Sequence, residues 1–397
     1  GFFPLESQMD IMAEKIGMDP VEFRKRNYIK LGETSPVFKA MGEGREGVEQ
    51  SIKSIGLIEA IDRGLNEIKW YEKKEKYQKL NQKSSIKYGL GMACMMQGSG
   101  IAEIDMGSAT IKMNEDGSFN LLIGATDLGT GSDTILAQIA AEALGVELSD
   151  IIVYSSDTDL TPFDVGAYAS STTFVSGGAV KKASDLVRDI IIEDASKILK
   201  EPKENLRVEN KSVISKSGKK LSFKEIANTA FYYHDQHQII ASASHYGKTS
   251  PPPFAAHFAE ISVDTRTGII NVLNYIACVD CGTAINPTLA EGQNDGAVVN
   301  GIGHTLSEGF EISSNGTVLN ANFRRYKILT SKDITNIKSI LISTYEPDGP
   351  YGAKSVSEIG INGPLPAISN AIYNAIKVRL TEAPFTPDKV LKALKKK

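Results

Sequence analysis

Cysteine is scarce in this sequence: the 397 residues include only three, at positions 94, 278 and 281. Three thiols are too few for a disulfide framework or for the four cysteine ligands of an iron–sulfur cluster. Cys278 and Cys281 have the spacing of a redox or metal motif, but no second pair accompanies them, and His234 and His237 lie far away in a polar stretch. We therefore expect buried, unreactive thiols in a reducing compartment, the cytoplasm.

Long hydrophobic runs and an excess of basic residues are also missing. No stretch approaches about 18 consecutive apolar residues, so the sequence predicts no transmembrane helix. Lysine and arginine total 44 against 48 aspartate and glutamate, a net charge of −4, which gives no indication of nucleic acid as a partner. The composition, 41% hydrophobic and 23% charged, is typical of a globular protein with a sizeable core.

The length predicts two or three domains of about 100–200 residues each. The sequence begins Gly1-Phe2-Phe3-Pro4, with neither an initiator methionine nor a leader. We therefore expect a cut or split piece of something longer.

Residues 1–84 are predicted to form a helical lead-in. Ile16 and Gly17 mark one helix end, and Asp19, Pro20 and Glu22 are typical of the capped start of the next helix. Apolar residues at helical spacing predict a further helix over 57–68. The charged stretch 72–85 shows little apolar periodicity and favours a linker.

From residue 85 the pattern changes to short strands that alternate with helices. Strands are predicted over 107–114, 118–124, 150–154, 255–264 and 269–279. Amphipathic helices are predicted near 135–144, 180–198 and 367–376, and Ser222 with Glu225 favours a short capped helix. The fold class is therefore α+β: a helical lead-in, residues 1–84, followed by a large mixed α/β domain, residues 85–397.

Glycine-centred loops are the most informative feature. One is Gly98-Ser99-Gly100, and another is Gly129-Thr130-Gly131-Ser132, which follows a strand and opens a helix with Ser132 as the expected N-cap. Backbone N–H groups at such a place favour an anion. The loop lacks the lysine of a P-loop and the third glycine of a dinucleotide fingerprint. Taken alone, it is more typical of a tight turn than of a site, and a nucleotide-binding protein is one alternative.

Two other segments carry polar groups among small residues. Residues 167–173 are rich in serine and threonine, which suits either a polar ligand or the start of the following helix. Glu358 is a lone acid between apolar residues in a glycine-rich loop. Desolvation would raise its pKa and make it a general base, whereas the more common fate of a single glutamate is the solvated surface.

These segments follow one another in the order of a known family. The matching segments are residues 6–10, 17–27, 124–131, 157–179, 253–260, 279–287, 292–297 and 352–358. Together they resemble the C-terminal half of the molybdenum-cofactor-binding subunit of the xanthine dehydrogenase/aldehyde oxidase family. The resemblance implies a molybdenum hydroxylase that oxidises an N-heteroaromatic such as a purine, or an aldehyde, with water as the oxygen source. It also implies that residues 85–397 are the second molybdopterin-binding domain and that the lead-in ends the preceding one.

The resemblance also assigns roles to residues. Glu358 falls on the family's essential glutamate, the catalytic base. Cofactor-contact positions fall on Gly129, Thr130, Gly131, Ala169, Ser170, Thr172 and Gln293, and substrate-side positions on Gly98, Ser99 and Gly100, with no metal ligand from the chain. The implied cofactor is molybdenum–molybdopterin, as such or as the cytosine dinucleotide. The implied partners are the N-terminal half of the subunit, an iron–sulfur subunit with [2Fe-2S] clusters and a flavin subunit with FAD.

The sequence departs from the family pattern at several of these positions. Thr130 stands where many members have glutamine, and Ser171 where many bacterial members have arginine. Ser355 and Ser357 replace glycines next to Glu358. A non-catalytic structural subunit is therefore a second alternative.

Overall fold

The structure is a computed structural model that describes residues 1–233, 235–334 and 336–396. His234, one of the paired histidines, lies outside the described residues. The helices are α1 (Phe2–Lys15), α2 (Pro20–Asn27), α3 (Val37–Ala40), α4 (Leu57–Ile68), α5 (Trp70–Leu80), α6 (Ser132–Leu144), α7 (Val175–Leu199), α8 (Phe223–Tyr232), α9 (Pro287–Leu306), α10 (Pro364–Ile376) and α11 (Pro387–Leu394). The strands are β1 (Ile86–Met96), β2 (Met106–Met113), β3 (Phe119–Ile123), β4 (Ile151–Ser155), β5 (Leu206–Val208), β6 (Ser212–Ser215), β7 (Lys220–Ser222), β8 (Ile240–Tyr246), β9 (Phe254–Asp264), β10 (Ile270–Asp280) and β11 (Asn336–Ile342).

The first sheet has the strand order β1-β9-β10-β11 and is covered on both faces. The lead-in packs on one face, where Ile61 and Leu65 of α4 share a hydrophobic cluster with Phe258 and Ile276 of the sheet. Helices α9 and α10 cover the other face. Because the lead-in and the sheet share one cluster, the division at residue 84 falls within a common core, and it stays a prediction.

The predicted linker over 72–85 is wrong for most of its length, because α5 runs from Trp70 to Leu80. Trp70 and Tyr77, seven residues apart, are both buried. The Lys73 ammonium lies 2.6 Å from the Glu260 carboxylate of β9, and the Tyr77 hydroxyl donates to the same carboxylate. Two buried aromatic residues and one ion pair therefore fix a helix whose sequence is too polar to show apolar periodicity.

Close backbone packing seats α10 against β1. A Cβ at Gly89 would lie 2.0 Å from the carbonyl oxygen of Ala371, and one at Gly91 would lie 2.1 Å from that of Ala367. Only glycine permits this approach. The 3₁₀ turn Glu358–Asn362 comes just before α10, so the same packing sets the position of Glu358.

The second sheet has the strand order β4-β3-β2-β8, and α6 and α7 share its hydrophobic cluster. The predicted strands and amphipathic helices are confirmed, with boundaries that differ by a few residues. Helix α6 ends at Gly145, whose φ of 64° is left-handed, and Ser222 forms the predicted capping box with Glu225. Among the described residues, none of the helices combines the length and apolar character that crossing a bilayer requires.

Candidate functional site

A small cavity with both polar and apolar lining lies where the starts of α6 and α9 meet the loop before α7 and the segment before Glu358. Its polar lining comes from distant parts of the chain: Thr130, Ser132, Ser170, Thr172, Thr173, Thr283, Asn286, Gln293, Lys354 and Ser357. The predicted residues Thr130, Ser170, Thr172 and Gln293 are therefore brought together, whereas Gly129, Gly131 and Ala169 lie in the same loops without lining the cavity. The cavity holds about 80 Å³, well below the ~300–1,000 Å³ of a ligand pocket.

The glycine loop at the start of α6 is not an open anion site. The Asp127 carboxylate accepts hydrogen bonds from the N–H groups of Gly129 (2.8 Å), Gly131 (3.1 Å) and Asp133 (3.3 Å). Partial burial opposes the charged form, but the N–H groups of Gly131 and Gly129 outweigh it and hold the pKa of Asp127 below its usual value. The chain's own carboxylate therefore occupies the place predicted for a ligand anion.

Ser132 is also not the predicted N-cap, because it is the first residue of α6 and Gly131 holds the cap position. Its side chain is buried at 3% exposure, and its Oγ has no hydrogen-bond partner in the described parts of the chain. A buried hydroxyl without a partner is costly unless a bound group satisfies it. Since Ser132 lines the cavity, the site is suited to a ligand with polar edges.

Glu358 lies at the start of a 3₁₀ turn, and its side chain is exposed. The prediction that apolar neighbours desolvate it is wrong in this chain. Its Oε2 accepts hydrogen bonds from Nε2 of Gln97 (2.7 Å) and Oγ of Ser170 (3.0 Å). Sequence reasoning missed Gln97, although its place directly before the 98–100 loop was the available signal.

The backbone that presents Ser170 is held in an uncommon conformation. Ala169 and Ser170 have φ values of 50° and 52°, in the left-handed region that non-glycine residues seldom adopt. The N–H of Gly100 donates to the Ala169 carbonyl (3.0 Å), and the Tyr168 hydroxyl donates to the buried Asp105 (2.7 Å). Such strain persists only where neighbouring groups enforce it, and it is concentrated at functional sites.

Residues Gly98, Ser99 and Gly100 are buried and do not line the cavity, and their substrate-side position stays a prediction. Ser99 Oγ donates to the carbonyl of Pro251 (2.7 Å) and accepts from the N–H of Ser355 (3.0 Å). Ser355 Oγ donates to the Gly98 carbonyl (2.9 Å). The loop therefore connects the segment that carries Glu358 to the one that carries Ser170.

The serines that replace the family's glycines make specific contacts. Ser355 bonds to the 98–100 loop as described, and Ser357 Oγ donates to Oε1 of Gln293 at 3.1 Å. The backbone path near Glu358 is thus compatible with serine at both positions. Ser171, at the position where many bacterial members have arginine, is buried and donates to the Gly166 carbonyl (3.1 Å).

A buried ion pair lies directly behind the cavity. The Lys354 ammonium is 2.8 Å from the Asp280 carboxylate, and both side chains are fully buried. Asp280 also accepts from the N–H groups of Gly56 and Gly282 and from the Thr344 hydroxyl. The pair anchors the segment before Glu358 to the end of β10, and sequence reasoning did not identify it.

The cysteines are buried, as predicted. Burial raises the pKa of Cys278 to about 12 and that of Cys281 to about 11, so both are protonated at neutral pH. In the ranges that the structure describes, no cluster of His, Cys, Asp and Glu is suited to hold a metal ion.

Residues 63–335 match the family model of the molybdopterin cofactor-binding domain. The chain is 36% identical over 398 residues to "Probable hypoxanthine oxidase XdhD" of Escherichia coli K12, covering 100% of this chain and 41% of that protein. It is 33% identical over 396 residues to the xanthine dehydrogenase molybdenum-binding subunit of E. coli O157:H7, covering 98% and 51%.

The chain therefore belongs to the molybdenum-binding subunits of the xanthine dehydrogenase/aldehyde oxidase family. Quinoline 2-oxidoreductase of Pseudomonas putida 86 has the same fold, with a TM-score of 0.90 at 24% identity over 99% of this chain and 51% of that one. The chain thus spans about half the length of the relatives it matches. The hydroxyl and amide groups of the cavity, with the partnerless Ser132 Oγ, fit the polar edges of a pterin.

Proposed function

We propose that this chain forms one wall of a molybdenum hydroxylase active site that oxidises an N-heteroaromatic substrate such as a purine. The observation that carries the proposal is the Glu358 carboxylate, which Gln97 and Ser170 hold beside the cavity. The purine preference is supported by the relatives named as a hypoxanthine oxidase and a xanthine dehydrogenase subunit. An aldehyde is the second candidate substrate, because an aldehyde oxidoreductase subunit is also similar, at 28% identity.

Cofactor binding is assigned to the groups that line the cavity. Ser132 Oγ, the hydroxyls of Thr130 and Thr172 and the amide nitrogen of Gln293 would bond the polar edges of the pterin. Thr130 keeps a hydroxyl at a position where the family often has glutamine, so its shorter side chain would lose or shorten that hydrogen bond. The molybdenum cofactor, when bound, supplies the oxygen to be transferred and accepts the two electrons.

Glu358 acts as the general base in this proposal. Its carboxylate takes up the proton that is released as the oxygen becomes a nucleophile, and solvent then removes that proton through the exposed side of the turn. General base catalysis typically contributes about 10²–10⁴-fold to the rate. Ser170 and Gln97 keep the carboxylate in place, while loop 98–100 supports both segments from beneath.

The wider assembly is also proposed. The relatives are about twice as long as this chain, so the remainder of such a subunit would supply the facing wall of the site. Three buried cysteines supply no ligand set for a [2Fe-2S] cluster, so the electrons would leave through an iron–sulfur subunit and a flavin subunit with FAD. The cytosine dinucleotide form of the cofactor and a cytoplasmic location complete the proposal.

Glu358→Gln in the assembled enzyme tests the proposal. We expect turnover of xanthine or hypoxanthine to fall at least 10²-fold at full molybdenum content, because glutamine keeps the size of the side chain but accepts no proton. Glu59→Gln, at an exposed acid on α4, is the matched control and should stay within about twofold of wild type.

If the Glu358→Gln variant kept the activity of the wild-type enzyme, Glu358 would not be the base, and the alternative of a non-catalytic structural subunit would be favoured. Turnover of aldehydes alone by the wild-type enzyme would exclude the purine preference. Incorporation of ¹⁸O from labelled water into the product would confirm the oxygen source.

A further inference from the structure

We propose that Gln97 is a positioning residue for catalysis, which fixes the Glu358 carboxylate so that Oε1, and not Oε2, receives the proton. This inference rests on the proposed function, since it concerns the same base.

The two donors at Glu358 converge on one oxygen. Gln97 Nε2 lies 2.7 Å and Ser170 Oγ 3.0 Å from Oε2. No group in the described ranges donates to Oε1. Hydrogen bonds stabilise the charge on the oxygen that accepts them and make it a weaker proton acceptor. The two oxygens of one carboxylate are thereby made unequal, and Oε1 is the more basic oxygen.

The orientation of the Gln97 amide is itself determined by its neighbours. Asn362 Nδ2 lies 3.4 Å from Gln97 Oε1 and 3.4 Å from the carbonyl oxygen of Glu358. An amide NH₂ only donates, so the oxygen of Gln97 faces Asn362 and its NH₂ faces Glu358. The chain of bonds from Asn362 through Gln97 to Glu358 therefore runs in one direction.

The backbone on both sides of Gln97 is rigid. Met96 ends β1 in register with Phe254 of β9, and Gly98 accepts a hydrogen bond from Ser355 in the buried loop. The N–H of Gln97 donates to the Pro253 carbonyl at 3.4 Å. A side chain carried on a fixed backbone can hold a carboxylate within the few tenths of an ångström that catalysis requires.

Two ionisable side chains near the turn are either paired or uncharged. Lys354, four residues before Glu358, is paired with Asp280. His257, on β9 beneath Gly363, is uncharged at neutral pH because burial lowers its pKa to about 3. Gln97 and Ser170 are therefore the neighbours that set the electrostatic environment of the Glu358 carboxylate.

The test uses Gln97→Met and Gln97→Glu in the assembled enzyme, with Gln78→Met, at an exposed residue of α5, as the matched control. Met keeps the length of the side chain without its donor. We expect kcat to fall about tenfold with KM, molybdenum content and Tm unchanged. Gln97→Glu should also lower kcat, because a second carboxylate would face the base and repel it.

The results separate this inference from the function on which it rests. If Glu358→Gln is inactive but Gln97→Met has the kcat of wild type, the positioning role is wrong and the proposed function stands. If Glu358→Gln stays active, the proposed function fails first. A loss of Tm or molybdenum that accounts for the lower kcat of Gln97→Met would also overturn the positioning role.

Discussion

Replacing Lys354 and replacing Asp280, which form an ion pair, should lower the free energy of unfolding by different amounts. Both side chains are fully buried, and breaking such a pair typically costs about 3–5 kcal/mol. Lys354→Met leaves Asp280 with three other donors, the N–H groups of Gly56 and Gly282 and the Thr344 hydroxyl. We therefore expect Lys354→Met to lower the free energy of unfolding by about 3 kcal/mol, the lower end of that range.

Asp280→Asn is expected to cost more. It would leave the Lys354 ammonium buried, with the ring of Phe254 5.4 Å away. A ring face compensates a charge far less than a carboxylate does, so a loss of about 5 kcal/mol is expected. The double variant should recover part of that loss, because neither charge then remains.

Urea unfolding of the full chain measures these differences. The single tryptophan, Trp70, is 2% exposed and shares a core cluster with Phe254, so its fluorescence reports on this region. Losses below about 1 kcal/mol for both single variants, or a larger loss for Lys354→Met than for Asp280→Asn, would refute the reasoning.

Two further predictions concern His257 and the packing of α10. Burial lowers the pKa of His257 to about 3, so the unfolded chain binds its proton near pH 6.5 and the folded chain does not. This histidine alone should therefore remove about 2.5 kcal/mol of stability between pH 7 and pH 4.5. His257→Asn should flatten the urea-measured pH dependence by that amount, and an unchanged slope would argue against a buried neutral ring. Gly91→Ala would place a Cβ 2.1 Å from the Ala367 carbonyl oxygen and should lower both Tm and turnover. The control Gly296→Ala, in α9, would place a Cβ with no atom within 4 Å and should leave Tm unchanged or slightly higher. Equal Tm values for the two variants would contradict the packing argument.

Local signals in the sequence predicted much of the fold correctly. The Asp19 cap, the Ser222–Glu225 capping box and the Gly145 stop all depend on contacts within a few residues, and the structure confirms them. Strand patterns located two of the four strands of the first sheet and three of the four of the second, and they missed β1, β8 and β11. The family resemblance then brought Thr130, Ser170, Thr172 and Gln293 into one group, which the cavity confirms as a spatial cluster while their cofactor contacts stay predictions.

The wrong predictions have a common physical cause. Each concerns either a contact with a residue far away in the chain or a backbone conformation. Helix α5 is stabilised through Glu260, which is 187 positions from Lys73. The polar surroundings of Glu358 come from Gln97, 261 positions away, and Ser170, 188 positions away. Asp127 is close in sequence to the glycine loop, but only the loop's conformation shows that its carboxylate takes the N–H groups.

The same long-range contacts explain how part of a site stays ordered. Ser170 is presented by a left-handed backbone that Gly100 supports, and Glu358 follows a segment that Ser99 and Lys354 anchor. Each functional side chain is thus fixed from its buried side, while the Glu358 carboxylate stays exposed. Under the proposed function, the base would be held before the facing wall is added, and that wall would have to supply cofactor and substrate contacts rather than order the base.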